Sequence, residues 1–243
     1  LTTYFISDLH LHAGSVESTK LLLKFLQETG PHADAIYILG DLFAIWFGDD
    51  LNLPYSQQIV AALQNLASRN IPLYFMRGNR DFLVGKKFCA AAGCVLLQDP
   101  CVINLYNRQV LLTHGDLLCT KDLKYQKFRS FVQHPLTKAI FLGLPKFLRI
   151  KIGNWVKSKS MRNSNYAVTI RPEILDVAPD TVQAWLEEFK VPVMIHGHTH
   201  NPAIHHLYTA TRIVLGDWTA NSAKILAFAP HGFELQDLIA TNN

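Results

Sequence analysis

Seven residues carry side chains suited to gripping metal ions, and each stands just past a short apolar run. Asp8 and His10 follow Thr3-Tyr4-Phe5-Ile6-Ser7, and Asp41 follows Ala35-Ile36-Tyr37-Ile38-Leu39-Gly40. Asn79 comes after Pro72-Leu73-Tyr74-Phe75-Met76, and His114 after Gln109-Val110-Leu111-Leu112-Thr113. His198 and His200 come after Val191-Pro192-Val193-Met194-Ile195. Carboxylate oxygens mixed with imidazole nitrogens suit zinc, manganese or iron better than calcium. Asp41 ends a run that reads as a strand covered on both faces, so its charge must reach water or be paired. We read it as shared by two ions. Two divalent ions ~3.5–4 Å apart clamp an in-line attack on phosphorus and lower the pKa of a bound water.

Taken singly, each motif has an ordinary reading. Gly40-Asp41 can simply start a turn, Gly78-Asn79 is a common turn dipeptide, and Asp8-x-His10 alone is weak. Their joint occurrence at five strand ends carries the argument. Arg80, next to Asn79, can fork onto a phosphate oxygen and spread developing charge; its plain alternative is a surface pair with Asp81. His196 reads as support for its neighbours rather than as a ligand. Asp116 and Asp217 orient ligands or cap turns, and Asp49 and Asp50 read as turn residues. His12, His32, His134, His205, His206 and His231 lack a ligand-type partner at useful spacing.

The elements that must position these residues alternate strand and helix. Apolar spacing predicts a helix over 15–28 with Val16, Leu22, Leu23 and Leu26 on its buried face, ended by Gly30-Pro31. Further helices are expected over 55–69, with Ile59, Leu63 and Leu66 buried, and over 82–92 and 180–189. Asp8 and His10 are expected on extended backbone, where residues two apart share a side. The runs at 213–215, 224–228 and 233–235 read as an antiparallel end. Strand–helix alternation followed by a strand-rich end predicts an α/β fold of two packed sheets with helices outside.

The bulk numbers agree with one large domain or one domain with an insertion: 243 residues, 49% hydrophobic and 17% charged. Cys89, Cys94, Cys101 and Cys119 fit neither a paired zinc motif nor a disulfide framework, which points to reduced thiols and a cytosolic setting. No signal-peptide pattern is visible in the first residues, and no apolar run approaches the ~18–20 residues that cross a bilayer. Charge is uneven. From Lys121 to Arg162 eight lysines and three arginines face one acid, Asp122, a net +10; with a total of +4, the remainder carries −6. That asymmetry suggests an anionic partner.

The order Asp-x-His, Gly-Asp, Gly-Asn-x-Asp, His, Gly-His-x-His resembles the calcineurin-like metallophosphoesterases. Longer strings are similar to their UDP-2,3-diacylglucosamine hydrolase branch, from lipid A biosynthesis. These are Tyr37-Ile38-Leu39-Gly40-Asp41-Leu42-Phe43 with Trp46 and Gly48-Asp49-Asp50, and Gly78-Asn79-Arg80-Asp81-Phe82 with Gly85-Lys86. With them stand His114-Gly115-Asp116 with Leu118-Cys119-Thr120, then Tyr125-Gln126 and Phe128-Arg129, His196-Gly197-His198-Thr199-His200 and Leu215-Gly216-Asp217-Trp218. The resemblance spans nearly the whole chain. Ala44 stands where the family has an acidic residue, and Asn201 where it has arginine.

The resemblance implies a metallophosphoesterase sandwich (αββα) of residues 1–120 and 166–243 with a helical lid over 121–165. It implies two Mn2+ ions, one held by Asp8, His10, Asp41 and His200, the other by Asp41, Asn79, His114 and His198. It implies hydrolysis of the pyrophosphate of UDP-2,3-diacylglucosamine to 2,3-diacylglucosamine 1-phosphate (lipid X) and UMP, by metal-hydroxide attack on the α-phosphorus, with Asn79, Arg80 and His114 catalytic. Asn79, Arg80, Asp122, Ser160, Ser164, Asn165, Arg171 and His198 would contact substrate.

The basic segment interleaves Ile140, Phe141, Leu142, Phe147, Leu148, Ile152 and Trp155 with lysines and arginines, in helices broken at Pro135 and near Gly143-Leu144-Pro145. On composition it reads equally as a hairpin packed on the body with solvated lysines. Nucleic-acid binding is disfavoured, since its aromatics show no stacking repeat. With the resemblance, it reads as an apolar chamber for acyl chains whose cationic face rests on anionic headgroups. The expectation is a peripheral enzyme at the cytoplasmic face of the inner membrane, with no nucleic acid and no obligate protein partner. Two other readings stay open: a phosphoesterase of soluble nucleotides or phosphodiesters, and a metal-binding scaffold without turnover.

Overall fold

Every residue of the Ala35–Leu39 run is buried, and this strand, β2, lies inside a six-stranded sheet. In a computed structural model that describes residues 1–51, 53–156, 158, 176–220 and 222–239, β2 is flanked in parallel by β1 (Thr3–Ile6) and β3 (Leu73–Met76). β4 (Cys94–Leu97) joins β3 in parallel, while β10 (Ser222–Ala229) and β11 (Gly232–Ile239) extend the other edge antiparallel, giving the order β11-β10-β1-β2-β3-β4. A second sheet has the order β5-β6-β7-β9-β8. Its centre, β6 (Arg108–Leu112), β7 (Val193–His196) and β9 (Thr211–Val214), is parallel; β5 (Cys101–Leu105) and β8 (Ala203–His206) close its edges antiparallel.

Side-chain alternation decides the layers. Phe5, Tyr37 and Leu39 point inward and meet Val110, Leu112, Ile195 and Ile213 of the second sheet. Phe5, Tyr37 and Tyr74, in register on neighbouring strands, stack with ring centroids 4.8 and 4.4 Å apart. Ile6, Ile36, Ile38 and Phe75 point outward, under α1 (Val16–Lys24), α2 (Pro54–Ser68) and α3 (Lys86–Ala92). Leu111 and Met194 do the same on the other side under α7 (Pro179–Phe189). The result is the four-layer αββα sandwich expected from the strand–helix alternation.

The five ligand-bearing strands are divided between the sheets: β1, β2 and β3 belong to one, β6 and β7 to the other. Their tips still converge, because these strands run parallel within each sheet and end at one edge of the sandwich. The run at 213–215 is antiparallel on one side only: β9 pairs antiparallel with β8 and in parallel with β7, whereas β10 and β11 form an antiparallel hairpin on the first sheet. The helix expected over 15–28 is α-helical only to Lys24 and continues as a wider π turn over Phe25–Thr29. Its buried stripe runs through Ser18, Leu22 and Phe25, which leaves Val16 54% exposed.

Between β6 and α7 the chain forms α4 (Leu123–Gln133), α5 (Pro135–Gly143) and α6, residues 146–156. Pro135 opens α5 at a position where a missing N–H costs nothing. α6 is fastened to the loop after β2: Arg149 pairs with the Asp50 carboxylate and donates to the Phe47 carbonyl at 2.8 Å, and Lys146 donates to the Asp50 carbonyl at 2.8 Å. Asp50 is therefore an anchor as well as the turn residue expected.

Phe75 is fully buried and packs on Phe88 of α3 at 5.6 Å. Phe75→Ala is expected to cost about 3–5 kcal/mol of stability, read as a lower denaturant midpoint at an unchanged m-value.

Candidate metal centre

Two glycines set the close approach on which the site is built. β2 gives way at Gly40 (φ +89°), and Asp41 follows in left-handed backbone at φ 53°. A Cβ at Gly40 would stand 2.6 Å from His114 Nδ1, and one at Gly78 would stand 2.5 Å from the Asp41 amide nitrogen. Distances that short do not occur between real atoms, so the loops after β2, β3 and β6 meet only because both positions lack a side chain. The loops after β1 and β2 stay paired past the strand ends, through Asp8 N to Gly40 O at 3.1 Å and His10 N to Asp41 O at 2.9 Å.

Asp8, His10, Asp41, His198 and His200 all adopt positive φ, between 51° and 71°. Asp8 and His10 are thus not extended as expected. Left-handed turns rotate them toward the site while Leu9 and Leu11, 1% and 0% exposed, turn into the core. Such conformations cost of order 1–3 kcal/mol each and persist only where the surroundings enforce them.

The seven expected ligands come together. Asp41 divides its two oxygens: Oδ2 is 3.8 Å from His10 Nδ1, and Oδ1 is 3.8 Å from His114 Nε2. Around the first oxygen gather Asp8, whose Oδ1 lies 3.5 Å from His200 Nε2 and 4.0 Å from His10 Nε2. His10 Nε2 and His200 Nε2 are 3.0 Å apart. Around the second lies Asn79, whose Oδ1 is 2.9 Å from His114 Nε2 and 3.0 Å from His198 Nδ1. Among the described residues two groups of acidic and histidine side chains are close enough to hold a metal ion, Asp8 with His10 and His200, and Asp8 with Asp41 and His114.

The donor chemistry fits a pair of cations. His114 Nδ1 lies 2.9 Å from the Leu39 carbonyl, so this nitrogen carries hydrogen and Nε2 of the neutral ring presents a lone pair to the Asn79 oxygen. Lone pair facing lone pair at that distance is tolerated when a proton or a metal ion sits among them. Asp8 Oδ2 accepts from Ser7 Oγ at 2.6 Å and from the His198 amide at 2.8 Å, but its buried Oδ1 has no hydrogen-bond partner among the described residues. A buried unpartnered carboxylate oxygen is costly, and a cation removes the cost.

Electrostatics of the cation-free site run the same way. Burial raises the Asp41 pKa, to about 7, against the pull of His114. Burial lowers His10 to about 3 and His198 to about 4, leaving both rings neutral and ready to ligate. For His114 burial also pulls downward, but Asp41, Asp8 and Asp116 outweigh it and hold the ring's pKa up at about 9. Its proton is the one an incoming cation must displace.

Supporting residues include several that sequence reasoning undervalued. Asp81 does not pair with Arg80 at the surface. Its carboxylate is fully buried and accepts from the backbone N–H groups of Gly78 (2.8 Å), Asp41 (3.2 Å) and Phe43 (3.4 Å), binding the two glycine loops together. Its place in Gly78-Asn79-Arg80-Asp81 was the signal. The Arg80 amide donates to Asp41 Oδ1 at 2.7 Å, and its guanidinium lies near enough to bear on His10. Asp217 Oδ2 lies 3.7 Å from His200 Nδ1, as an orienting group would. Asp49 lies in a turn, as expected, and in addition its carboxylate accepts from the amides of Gly85, Lys87 and Phe88, each at 3.0 Å, at the start of α3. His196 is buried with Nδ1 2.9 Å from the Gly197 carbonyl. Asp122 caps α4 by accepting from the Tyr125 amide at 2.9 Å. Ser160, Ser164, Asn165 and Arg171 lie outside the described residues.

The family model for calcineurin-like phosphoesterases matches residues 1–202. The chain is 47% identical over 239 residues to a UDP-2,3-diacylglucosamine hydrolase of Coxiella burnetii (strain RSA 493 / Nine Mile phase I), covering 96% of each chain. It is 48% identical to the enzyme of that name from Stenotrophomonas maltophilia (strain K279a), over 98% of this chain and 99% of that one. It is 44% identical to the one from Serratia proteamaculans (strain 568), over 93% and 94%. Among solved structures, an archaeal phosphodiesterase superposes with a TM-score of 0.50 at 12% identity, over 99% of this chain and 100% of that one, a likeness of fold.

Two outcomes are expected. Mn2+ affinity, measured by calorimetry, rises with pH between about 6 and 8, by about tenfold per unit for each proton displaced; the sign follows from His114 being protonated below about 9. Gly78→Ala weakens binding by about tenfold or more, because the methyl drives Asp41 from its place. Gly143→Ala, with nothing within 4 Å of the added carbon, leaves it unchanged.

Proposed function

The chain belongs to the calcineurin-like phosphoesterase family, and from that premise we propose that it hydrolyses the pyrophosphate bond of UDP-2,3-diacylglucosamine to 2,3-diacylglucosamine 1-phosphate and UMP in lipid A biosynthesis. The observation that carries the reading is the joint presence of the divided Asp41 site and near-half identity, end to end, with enzymes of that name.

In this reading Asp8, His10, Asp41 and His200 hold one Mn2+, and Asp41, Asn79, His114 and His198 hold the other. When bound, the pair supplies positive charge to the phosphate and acidifies a water for attack on phosphorus. Asn79 and Arg80 bind the phosphate. The Arg80 guanidinium, a rigid planar donor, takes up charge that builds on the non-bridging oxygens. His114 keeps its ring fixed through the Leu39 carbonyl, so the α-phosphorus meets a preset geometry. The new P–O bond forms on the uridine side, the bridging P–O bond at that phosphorus breaks, and the lipid 1-phosphate leaves. Asp122, Ser160, Ser164, Asn165, Arg171 and His198 contact the sugar or headgroup.

Residues 121–165 are proposed as the lid, inserted in a core of 1–120 and 166–243. Leu123, Phe131, Leu136, Ile140, Phe147 and Trp155 are each more than 60% exposed on α4–α6, an unusual concentration for a water-facing surface. Interleaved with lysines, they suit a chamber for acyl chains and an anionic inner-membrane surface on its cytoplasmic side, bound peripherally. Among the described residues no helix is long and apolar enough to cross a membrane. No nucleic acid and no obligate protein partner enter this reading.

Mn2+-dependent release of UMP from the diacylated substrate, lost in Asp41→Ala and His114→Ala by about 10³-fold or more, is the expected result. Cleavage of a soluble chromogenic phosphodiester with no UMP release would keep the site and overturn the lipid substrate. Binding of metal without any turnover would leave a scaffold. Hydrolysis in 18O-enriched water is expected to label UMP; label in the lipid phosphate would refute attack at the α-phosphorus. Sedimentation with anionic vesicles is expected at low salt and weakens as salt rises.

A further inference from the structure

α4 buries none of its residues, yet its side chains bond to a loop of the metal centre. Gly115, at φ 115°, turns the chain between His114 and Asp116, so that the imidazole enters the site and the carboxylate leaves it. Asp116 is 1% exposed, and its Oδ2 accepts from Tyr125 Oη at 2.6 Å and from Arg129 Nε at 2.5 Å. Gln126 Nε2 adds bonds to the carbonyls of Asp116 (2.8 Å) and Cys119 (3.1 Å). Tyr125, Gln126 and Arg129 share one face of α4 by their spacing. The helix therefore seats through a polar clamp on the His114–Asp116 loop.

The clamp also fixes a ring. With its hydroxyl committed to Asp116, Tyr125 lays its face against the His198 imidazole, centroids 6.1 Å apart and planes inclined by 30°. On another side His198 meets the His114 ring edge-on at 5.1 Å and 68°. His198 stands at φ 71°, a conformation that its own backbone disfavours. An imidazole on such backbone needs walls to hold one rotamer, and Tyr125 and His114 are two of them. Both residues that α4 reaches, His114 through the loop and His198 through the ring, belong to the half of the site formed with Asn79. The half formed by Asp8, His10 and His200 is held by Ser7 and Asp217, and through Asp8 by the His198 backbone amide rather than by its ring.

We infer that Tyr125 is a positioning residue: locked by Asp116 and Arg129, its ring orients His198 as a ligand, so that seating of α4 and occupancy of the Asn79–His114–His198 half are coupled, while the other half, linked to it only through Asp41 and the His198 amide, responds less. The inference rests on the two-cation reading above. By linkage the coupling is reciprocal, and a filled second half holds α4 in place.

The test is Mn2+ titration of the full chain, followed by calorimetry and by electron paramagnetic resonance, which separates an isolated ion from a spin-coupled pair. In Tyr125→Leu the first ion binds within about twofold of wild type, the second weakens by about tenfold or more, and the pair signal gives way to that of isolated Mn2+. Tyr125→Phe, which keeps the ring, retains the pair signal with second-ion affinity within about threefold of wild type. Equal weakening of both ions in Tyr125→Leu, or an unchanged second ion, overturns the positioning role. A wild-type chain that binds only one ion overturns the two-cation reading itself. Tyr125→Phe also guards against misfolding: a folded Phe variant that loses the second ion as fully as the Leu variant does shows that the ring is not what orients His198.

Discussion

Two carboxylates withdrawn from water, Asp8 and Asp41, are the constraint on which this molecule is built. Each is at most 2% exposed. An isolated buried carboxylate is too costly to persist ionised, so the surroundings must supply compensating charge or donors. Part of the supply is local. Ser7 and the His198 amide serve one oxygen of Asp8, and the Arg80 amide serves one of Asp41. The remainder points into the space where histidine nitrogens gather. Much of the architecture around the site follows from this demand: bare glycines at 40 and 78 allow three loops to close on Asp41, and Asp81 ties two of those loops through their own amides.

The demand also accounts for the left-handed backbone. Five ligand residues adopt it, and none is glycine. A regular strand would carry the chain straight past the site and put every second side chain on the wrong face. A single left-handed residue turns the ligand inward and returns the next residue to the core, as Leu9 and Leu11 show. The conformational cost is carried by the sandwich beneath. Strands stacked through Phe5, Tyr37 and Tyr74 and covered on both faces give the loops no room to relax. Rigidity of the frame and strain at its edge are thus one arrangement seen from two sides.

How much of this was legible in the sequence depends on whether the cause is local. Apolar runs that stop at Asp, Asn or His are local, and they marked the seven residues that meet at the candidate metal centre and the strands that present them. Breaks at Pro135 and near Gly143 are local too, and the helices end there. The partition of ligand strands between two sheets was not legible, because it depends on which strands pair, and β9 beside β7 rather than β10 is a tertiary choice. The helix over 15–28 was misjudged because apolar count placed Val16 inward, whereas the buried stripe is completed by a polar residue, Ser18. Asp81 and Asp116 were underestimated for one reason: short-range spacing cannot tell a carboxylate at the surface from one that accepts several buried donors. Such residues look alike until the amides of another strand are brought to them.

The attachment of α4–α6 follows the same logic. An apolar interface would hold these helices more firmly, and the side chains for it are present: Phe131, Ile140, Phe147 and Trp155. They face outward instead, and although Phe141 packs on the core, the charged or polar contacts that fix the helices are Asp116 with Tyr125 and Arg129 at one end and Asp50 with Arg149 at the other. Apolar area turned outward is stabilised only by something apolar placed against it. Polar clamps at the roots leave that area available without letting the helices drift, because a buried charge, the Asp116 carboxylate in one clamp and the Arg149 guanidinium in the other, tolerates neither the loss of its partners nor a shift of them. One of those clamps grips the loop that carries His114 and stacks a ring on His198. The outward apolar surface of α4–α6 and the loop that carries His114 are joined through one aspartate, Asp116.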